Sequence, residues 1–167
     1  MQAALNKQIN AEFYSAYLYL AMAAYFEENS LKGFGKWLKI QAQEELQHAM
    51  KFYDFVNDRG GQVVLFKIEA PEKTWKSPLT AFQAALEHEQ KVTGMINNLV
   101  ALAVDVKDYP SSSFLQWFVD EQVEEEANAT EIVRKLLMIG ENNSTALLML
   151  DIELGKRSYS SESCCSA

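Results

Sequence analysis

Proline and glycine are scarce in this sequence. There are three prolines and seven glycines in 167 residues, about half of the usual combined share of ~12 %. All three prolines (Pro71, Pro78, Pro110) fall in one window, leaving a long stretch on either side without that breaker. An all-β chain needs turn chemistry every ~8–12 residues, so the shortage argues against that class and favours helices. Cysteine is limited to Cys164 and Cys165, adjacent near the end of the chain. That excludes a disulfide framework, makes a reducing, cytoplasmic location the expectation, and leaves no cysteine metal site without further ligands. No apolar run approaches the ~18 residues of a membrane span, and the opening MQAALNKQINAEF lacks the basic start and apolar stretch of a secretion signal. Positive charge is also in deficit: 15 basic against 23 acidic side chains give a net −8. Such a chain is not expected to bind nucleic acid or an anionic membrane, and cations are its natural ligands.

What is present is helical. The 49 % hydrophobic content supplies a sizeable core, and apolar residues three and four apart mark four long amphipathic segments and one short one. The first covers about 3–28. Ser30 is the expected N-cap of the second, 31–59, which Gly60-Gly61 stops. Residues 60–77 lack helical period, and Val63-Val64-Leu65-Phe66 reads as a short extended piece. Ser77-Pro78 opens a third helix to about Val106. Asp108-Tyr109-Pro110-Ser111 reads as a tight turn before a fourth helix over 112–139, closed by Gly140. Asn143-Ser144 caps a fifth over 145–154, ending at Gly155. Residues 1–157 read as one domain and 158–167 as a disordered Ser/Cys-containing tail. Short turns make the first and last pairs of long helices antiparallel. The connection between the second and third helices, about 18 residues, can extend ~60 Å and run the length of a ~42 Å helix. The expectation is an all-α four-helix bundle with one long crossover and a short fifth C-terminal helix.

The informative residues are those that interrupt the apolar seams. The second helix reads Phe34, Leu38, Gln41, Glu45, His48, Phe52, Phe55, putting Glu45 and His48 where a bundle wants leucine. The third reads Phe82, Leu86, Glu89, Thr93, Ile96, Val100, Ala103; the fourth Leu115, Phe118, Gln122, Glu125, Ala129, Ile132, Leu136, Ile139. The first carries Leu5, Glu12, Tyr19 and Phe26 seven apart. Each long helix thus has an inward carboxylate. In an antiparallel hairpin, residues equidistant from the turn share a height. Glu12 and His48 are equidistant from position 30, and Glu89 and Glu125 from position 107, so the groups meet near mid-bundle.

Burying several carboxylates together costs several kcal/mol per charge without a neutralising partner. No arginine or lysine lies on these seams, so the expected partner is a metal cation. Oxygen ligands with one imidazole suit iron or manganese, with zinc a competitor. Glu45 and His48, three apart on one helical face, can ligate together. Glu126 in EQVEEE (121–126) reads as a solvated charge, Trp37 and Trp75 as packing, and His88 as lying beside the seam, not a ligand.

The segments NKQINAEFYSAYLYL, QAQEELQHAMKFYDFV, LEHEQ and FLQWFVDEQVEEE resemble a prokaryotic non-haem ferritin of the ferritin-like di-iron family, over residues 3–157. The resemblance implies a ferritin-like bundle and iron storage with ferroxidase activity, Fe(II) and dioxygen (or peroxide) being the substrates. Position by position it implies Glu12, Glu45 and His48 around one iron, with Glu45 bridging. Glu89 and Glu125 would hold the second, and Gln122 would be a ligand or hydrogen-bonder to dioxygen. A third iron site maps onto Glu44, Glu121, Glu124 and Glu125, and Tyr19 and Trp117 match aromatic electron donors beside the centre. The fifth helix fits a role around the fourfold axis of a 24-subunit shell. Haem is not expected, because Leu46 stands where bacterioferritins carry a haem-ligating methionine, and Asn128 replaces the histidine of their second Glu-x-x-His. The alternatives are a soluble di-iron oxidase or peroxidase without storage, and a metal-free structural bundle.

Overall fold

The structure is a computed structural model and describes residues 1–140 and 142–159. Glu141 and residues 160–167, including Cys164 and Cys165 of the expected disordered tail, lie outside them. Among the described residues five helices follow in order: α1 (Gln2–Glu28), α2 (Lys32–Asp58), α3 (Pro78–Asp105), α4 (Tyr109–Ile139) and α5 (Ser144–Leu154). None is long and apolar enough to cross a membrane.

The core is split into two apolar clusters, and their membership fixes the topology. One gathers Phe26 from the end of α1, Phe34 from the start of α2, Phe82 from the start of α3 and Leu136 from the end of α4, with Leu150 and Leu154 of α5. The other gathers Leu5 from the start of α1, Phe52 from the end of α2, Leu99 from the end of α3 and Leu115 from the start of α4. The members of each hairpin are therefore antiparallel, while α2 and α3 run parallel, as the crossover length predicts. On α3 the buried seam is rotated from the expected one: Ala85, Val92 and Leu99 are inside, whereas Leu86, Thr93 and Val100 are half-buried.

Helix ends show where local sequence suffices and where it does not. Ser77 caps α3 through a reciprocal capping box with Thr80, and Asn143 Oδ1 accepts from Ala146 N at the start of α5, both as expected. Ser30 does not cap α2. It adopts φ +60° in the turn, and the acceptor for the first amides comes from α5: Asp151 Oδ1 takes Gly33 N (2.7 Å) and Phe34 N (3.0 Å). Gly33 is required for this approach, because a Cβ there would meet the Asp151 carbonyl oxygen at 1.7 Å. The expected turn at 108–111 is already helix. Asp108 is the N-cap of α4, accepting from Ser111 N, and Pro110 sits in the first turn, where its missing N–H costs nothing. The crossover contains no strand. Val64 N donates to Asn6 Oδ1 (2.8 Å) while Asn6 Nδ2 donates to the Gln62 carbonyl (3.0 Å), so one buried amide on α1 does the bracketing that a neighbouring strand would do.

Candidate metal centre

Between the two apolar clusters lies a polar layer. Glu12 (α1), Glu45 and His48 (α2), Glu89 (α3), and Gln122 and Glu125 (α4) are all buried, from 1 % exposed at Glu12 to 8 % at Glu125. One ligand atom each from Glu12, Glu45 and His48 lies within 4.8 Å of the others, and the same holds for Glu45, Glu89 and Glu125. Glu45 belongs to both groups. His48 Nδ1 is 3.4 Å from Glu45 Oε2 and 3.9 Å from Glu125 Oε1, and Trp117 packs edge-on against the imidazole.

Amides orient the carboxylates. Gln8 Nε2 donates to Glu12 Oε1 (2.8 Å), and Gln41 Nε2 donates to both Glu45 Oε1 (3.2 Å) and Glu125 Oε1 (3.0 Å). Gln122 Nε2 donates to Glu89 Oε2 (3.2 Å) and to Thr93 Oγ1 (3.2 Å). The buried Tyr19 hydroxyl donates to Glu89 Oε1. The signal for two of these brackets stands in the sequence as a glutamine four residues ahead of an inward glutamate, Gln8/Glu12 and Gln41/Glu45, one helical turn apart on one face.

Among the described residues, no lysine or arginine pairs with any of the four carboxylates. Burial pushes the Glu12 carboxyl up to about 8, helped by the charge of Glu45. Burial likewise raises Glu45, with the charge of Glu89 adding to it. Glu125 rises through burial and the charges of Glu45 and Glu89. Glu89 rises less freely, since the Tyr19 and Gln122 hydrogen bonds oppose its burial. Burial and the Glu89 charge hold the Tyr19 phenol well above its ordinary range. Among the described residues, Glu12 Oε2 and Glu125 Oε2 are buried without a hydrogen-bond partner. A layer of hard oxygen donors, two of them without a hydrogen-bond partner, with one imidazole and no lysine or arginine paired to it among the described residues, is suited to divalent cations of the iron and manganese kind.

The residues expected at a third site behave differently. Glu44 is half-buried and ion-paired to Arg157 (2.5 Å), Glu121 is half-buried, and Glu124 is exposed. Glu44 feels the charge of Glu124, and Glu121 those of Glu124 and Glu44, but Glu44, Glu121 and Glu124 join neither metal-sized group. Glu126 is not simply solvated: it is half-buried and accepts from Thr93 Oγ1 (2.5 Å). His88 belongs to neither group. Its Nε2 lies 2.8 Å from Ser15 Oγ, and burial lowers its pKa to about 4, leaving a neutral ring. Trp37 packs on Phe82 and Trp75 on Tyr25. Arg157, beyond the last helix, had no place on any seam yet contacts Gln41 of the polar layer.

The ferritin-like domain family matches residues 2–139. Bacterial non-heme ferritins are similar over nearly the whole chain. That of Staphylococcus saprophyticus is 45 % identical over 93 % of each sequence, and that of Staphylococcus epidermidis is 42 % identical over 96 % of each. Among solved structures, an open pore ferritin from the hyperthermophilic archaeon Archaeoglobus fulgidus is 56 % identical, with a TM-score of 0.93 covering 95 % of this chain and 97 % of that one. The family match, the bundle topology and the buried carboxylate layer agree, and this chain belongs to the ferritin family.

Proposed function

We propose that this iron-storage ferritin oxidises Fe(II) with dioxygen at the mid-bundle layer and stores the ferric product in a hollow, cytoplasmic 24-subunit shell. Fe(II) is here substrate and cargo. Glu12, Glu45 and His48 hold one ion and Glu45, Glu89 and Glu125 the other; each gives one electron to a single dioxygen, which takes up two protons and leaves as hydrogen peroxide. The observation that carries this reading is Glu45, the one side chain common to both three-ligand groups. A shared carboxylate fixes the spacing of a metal pair, and pair sites promote reactions at a bound small molecule.

The chain's own groups supply the rest. Raised carboxyl pKa values mean that protons leave as cations arrive, so the layer exchanges protons for positive charge instead of accumulating four anions. Hard anionic oxygens favour Fe(III) over Fe(II), which drives the oxidation. Gln122 is poised beside the Glu89/Glu125 group as hydrogen-bonder to dioxygen, and Tyr19 and Trp117 stand as electron donors next to the ligands. Glu44, Glu121, Glu124 and Glu125 are the third iron position that the family resemblance implies.

The test is Glu45→Ala. Stopped-flow oxidation of two Fe(II) per chain is expected to slow by more than the roughly 100-fold upper cost of losing a ligand's hydrogen-bond partner, while the particle keeps the mass of a full shell, about 450 kDa for 24 chains of 18.9 kDa. Unchanged oxidation would sink the assignment of the centre. A small oligomer in the wild type would instead favour a soluble di-iron oxidase without storage.

A further inference from the structure

The segment that follows α5 reaches the polar layer from outside the four-helix bundle. The Arg157 guanidinium lies over the Trp37 ring at 4.3 Å. Its Nη2 donates to Glu44 Oε2 (2.5 Å), and its Nη1 donates to Gln41 Oε1 (3.0 Å) and to the Trp37 carbonyl (3.4 Å). A guanidinium has donors only, so it can engage Gln41 only through the amide oxygen. That leaves the Gln41 Nε2 facing the centre, where it donates to Glu45 Oε1 and Glu125 Oε1. Arg157 thus selects the one amide orientation that both of its neighbours accept. It is itself held in place by the docking of α5: Asp151 caps α2, Lys36 Nζ donates to the Gly155 carbonyl (2.8 Å), and Gly155 packs on Gly33.

We propose that Arg157 is a positioning residue for the metal pair. Acting through Gln41, it fixes the oxygens of Glu45 and Glu125 and so couples docking of the C-terminal segment to cation binding at mid-bundle. The inference rests on the ferroxidase reading above. Groups hydrogen-bonded to metal ligands, as Gln41 is here, commonly govern metal affinity by about 10–100-fold, and Arg157 holds that group from a part of the chain outside the four long helices.

The experiment uses the full chain and Co(II), added without oxygen and followed by calorimetry and by its visible absorption band. The wild type is expected to take two Co(II) per chain at the buried pair, read apart from any third ion by their loss in Glu45→Ala. Arg157→Ala should weaken that binding by about tenfold and change the shape of the band, with helix content and assembled mass unaltered. In a Gln41→Leu background the same change should add nothing, because Arg157 acts through that amide. Unchanged affinity and band in Arg157→Ala, or additive losses in the double variant, overturn the inference alone. If Gln41→Leu does not fold, the band of Arg157→Ala decides by itself. A wild type that takes no Co(II) overturns the ferroxidase reading and this inference with it.

Discussion

At one end of the bundle Phe26 and Phe34 stack 4.9 Å apart with Phe82 against both. At the other, Phe52 stacks on Phe118 at 4.1 Å. Between these ends every long helix turns a carboxylate inward, and two carboxylate oxygens have no hydrogen-bond partner among the described residues. The ends gain free energy simply by folding, since apolar area leaves water. The middle gains little until a cation arrives, because the same burial raises the cost of each charge. The difference teaches that the apolar clusters hold the helices in register, and that this register keeps the acidic layer assembled at the expense of local stability.

The largest expected effect comes from breaking an end. Phe34 has no exposed surface and contacts rings from two other helices, so Phe34→Ala should destabilise the metal-free protein by about 3–5 kcal/mol. Chemical denaturation measures this, and the same sample should still bind two Co(II) per folded chain. A loss of stoichiometry at native conditions would mean that the ends and the middle are not separable. The middle should respond in the opposite sense. Glu12 carries a carboxyl raised from its ordinary value of 4.5 to about 8, so between those values the folded chain holds a proton that the unfolded chain has lost. Its contribution to stability is complete below pH 4.5 and is lost as pH rises through about 8. The metal-free melting temperature should therefore fall from pH 5 to pH 8, and Glu12→Gln should flatten that slope. Cation affinity should rise over the same interval as protons are displaced. A metal-free melting temperature that climbs with pH would contradict the assignment.

This division also explains what could be read from the sequence. Glu12, Glu45, His48, Glu89 and Glu125 were legible because each breaks a helical seam and because hairpin symmetry puts them at one height; both depend only on helix geometry and turn position. The crossover was legible because an 18-residue link has a known reach. Contacts between distant parts of the chain were not. The cap of α2 comes from Asp151, the guanidinium on Gln41 from Arg157, and the crossover bracket from Asn6, and no local pattern announces a partner so far away. A serine before a helix offers a plausible cap, but it cannot serve once its own residue is forced to φ +60° in the turn. The start of α4 is hidden for a different reason: Pro110 suits a turn and the first turn of a helix equally, and the Asp108 cap decides between them. The rotated seam of α3 follows from small residues, since Ala85 can sit inside without the bulk that makes a stripe visible.

The smallest effect expected is at the joint between α5 and the bundle. Asp151 Oδ1 satisfies two of the first amides of α2 from a residue 118 positions away from one of them, doing from a distance what an N-cap serine does locally. Asp151→Ala removes that acceptor and should cost about 1 kcal/mol, the usual worth of a helix cap, while Asp151→Asn keeps an oxygen in place and should cost a few tenths. Denaturant midpoints should shift in that order at an unchanged slope, because Leu150 and Leu154 remain buried in the adjoining apolar cluster and keep α5 docked. With α5 docked, Arg157 stays on Gln41 and Co(II) binding should not change. Binding that weakens along with the cap would show instead that docking of α5 is balanced closely enough for one hydrogen-bond acceptor to govern it, and that the boundary between the stable end and the metal-dependent middle runs through Asp151.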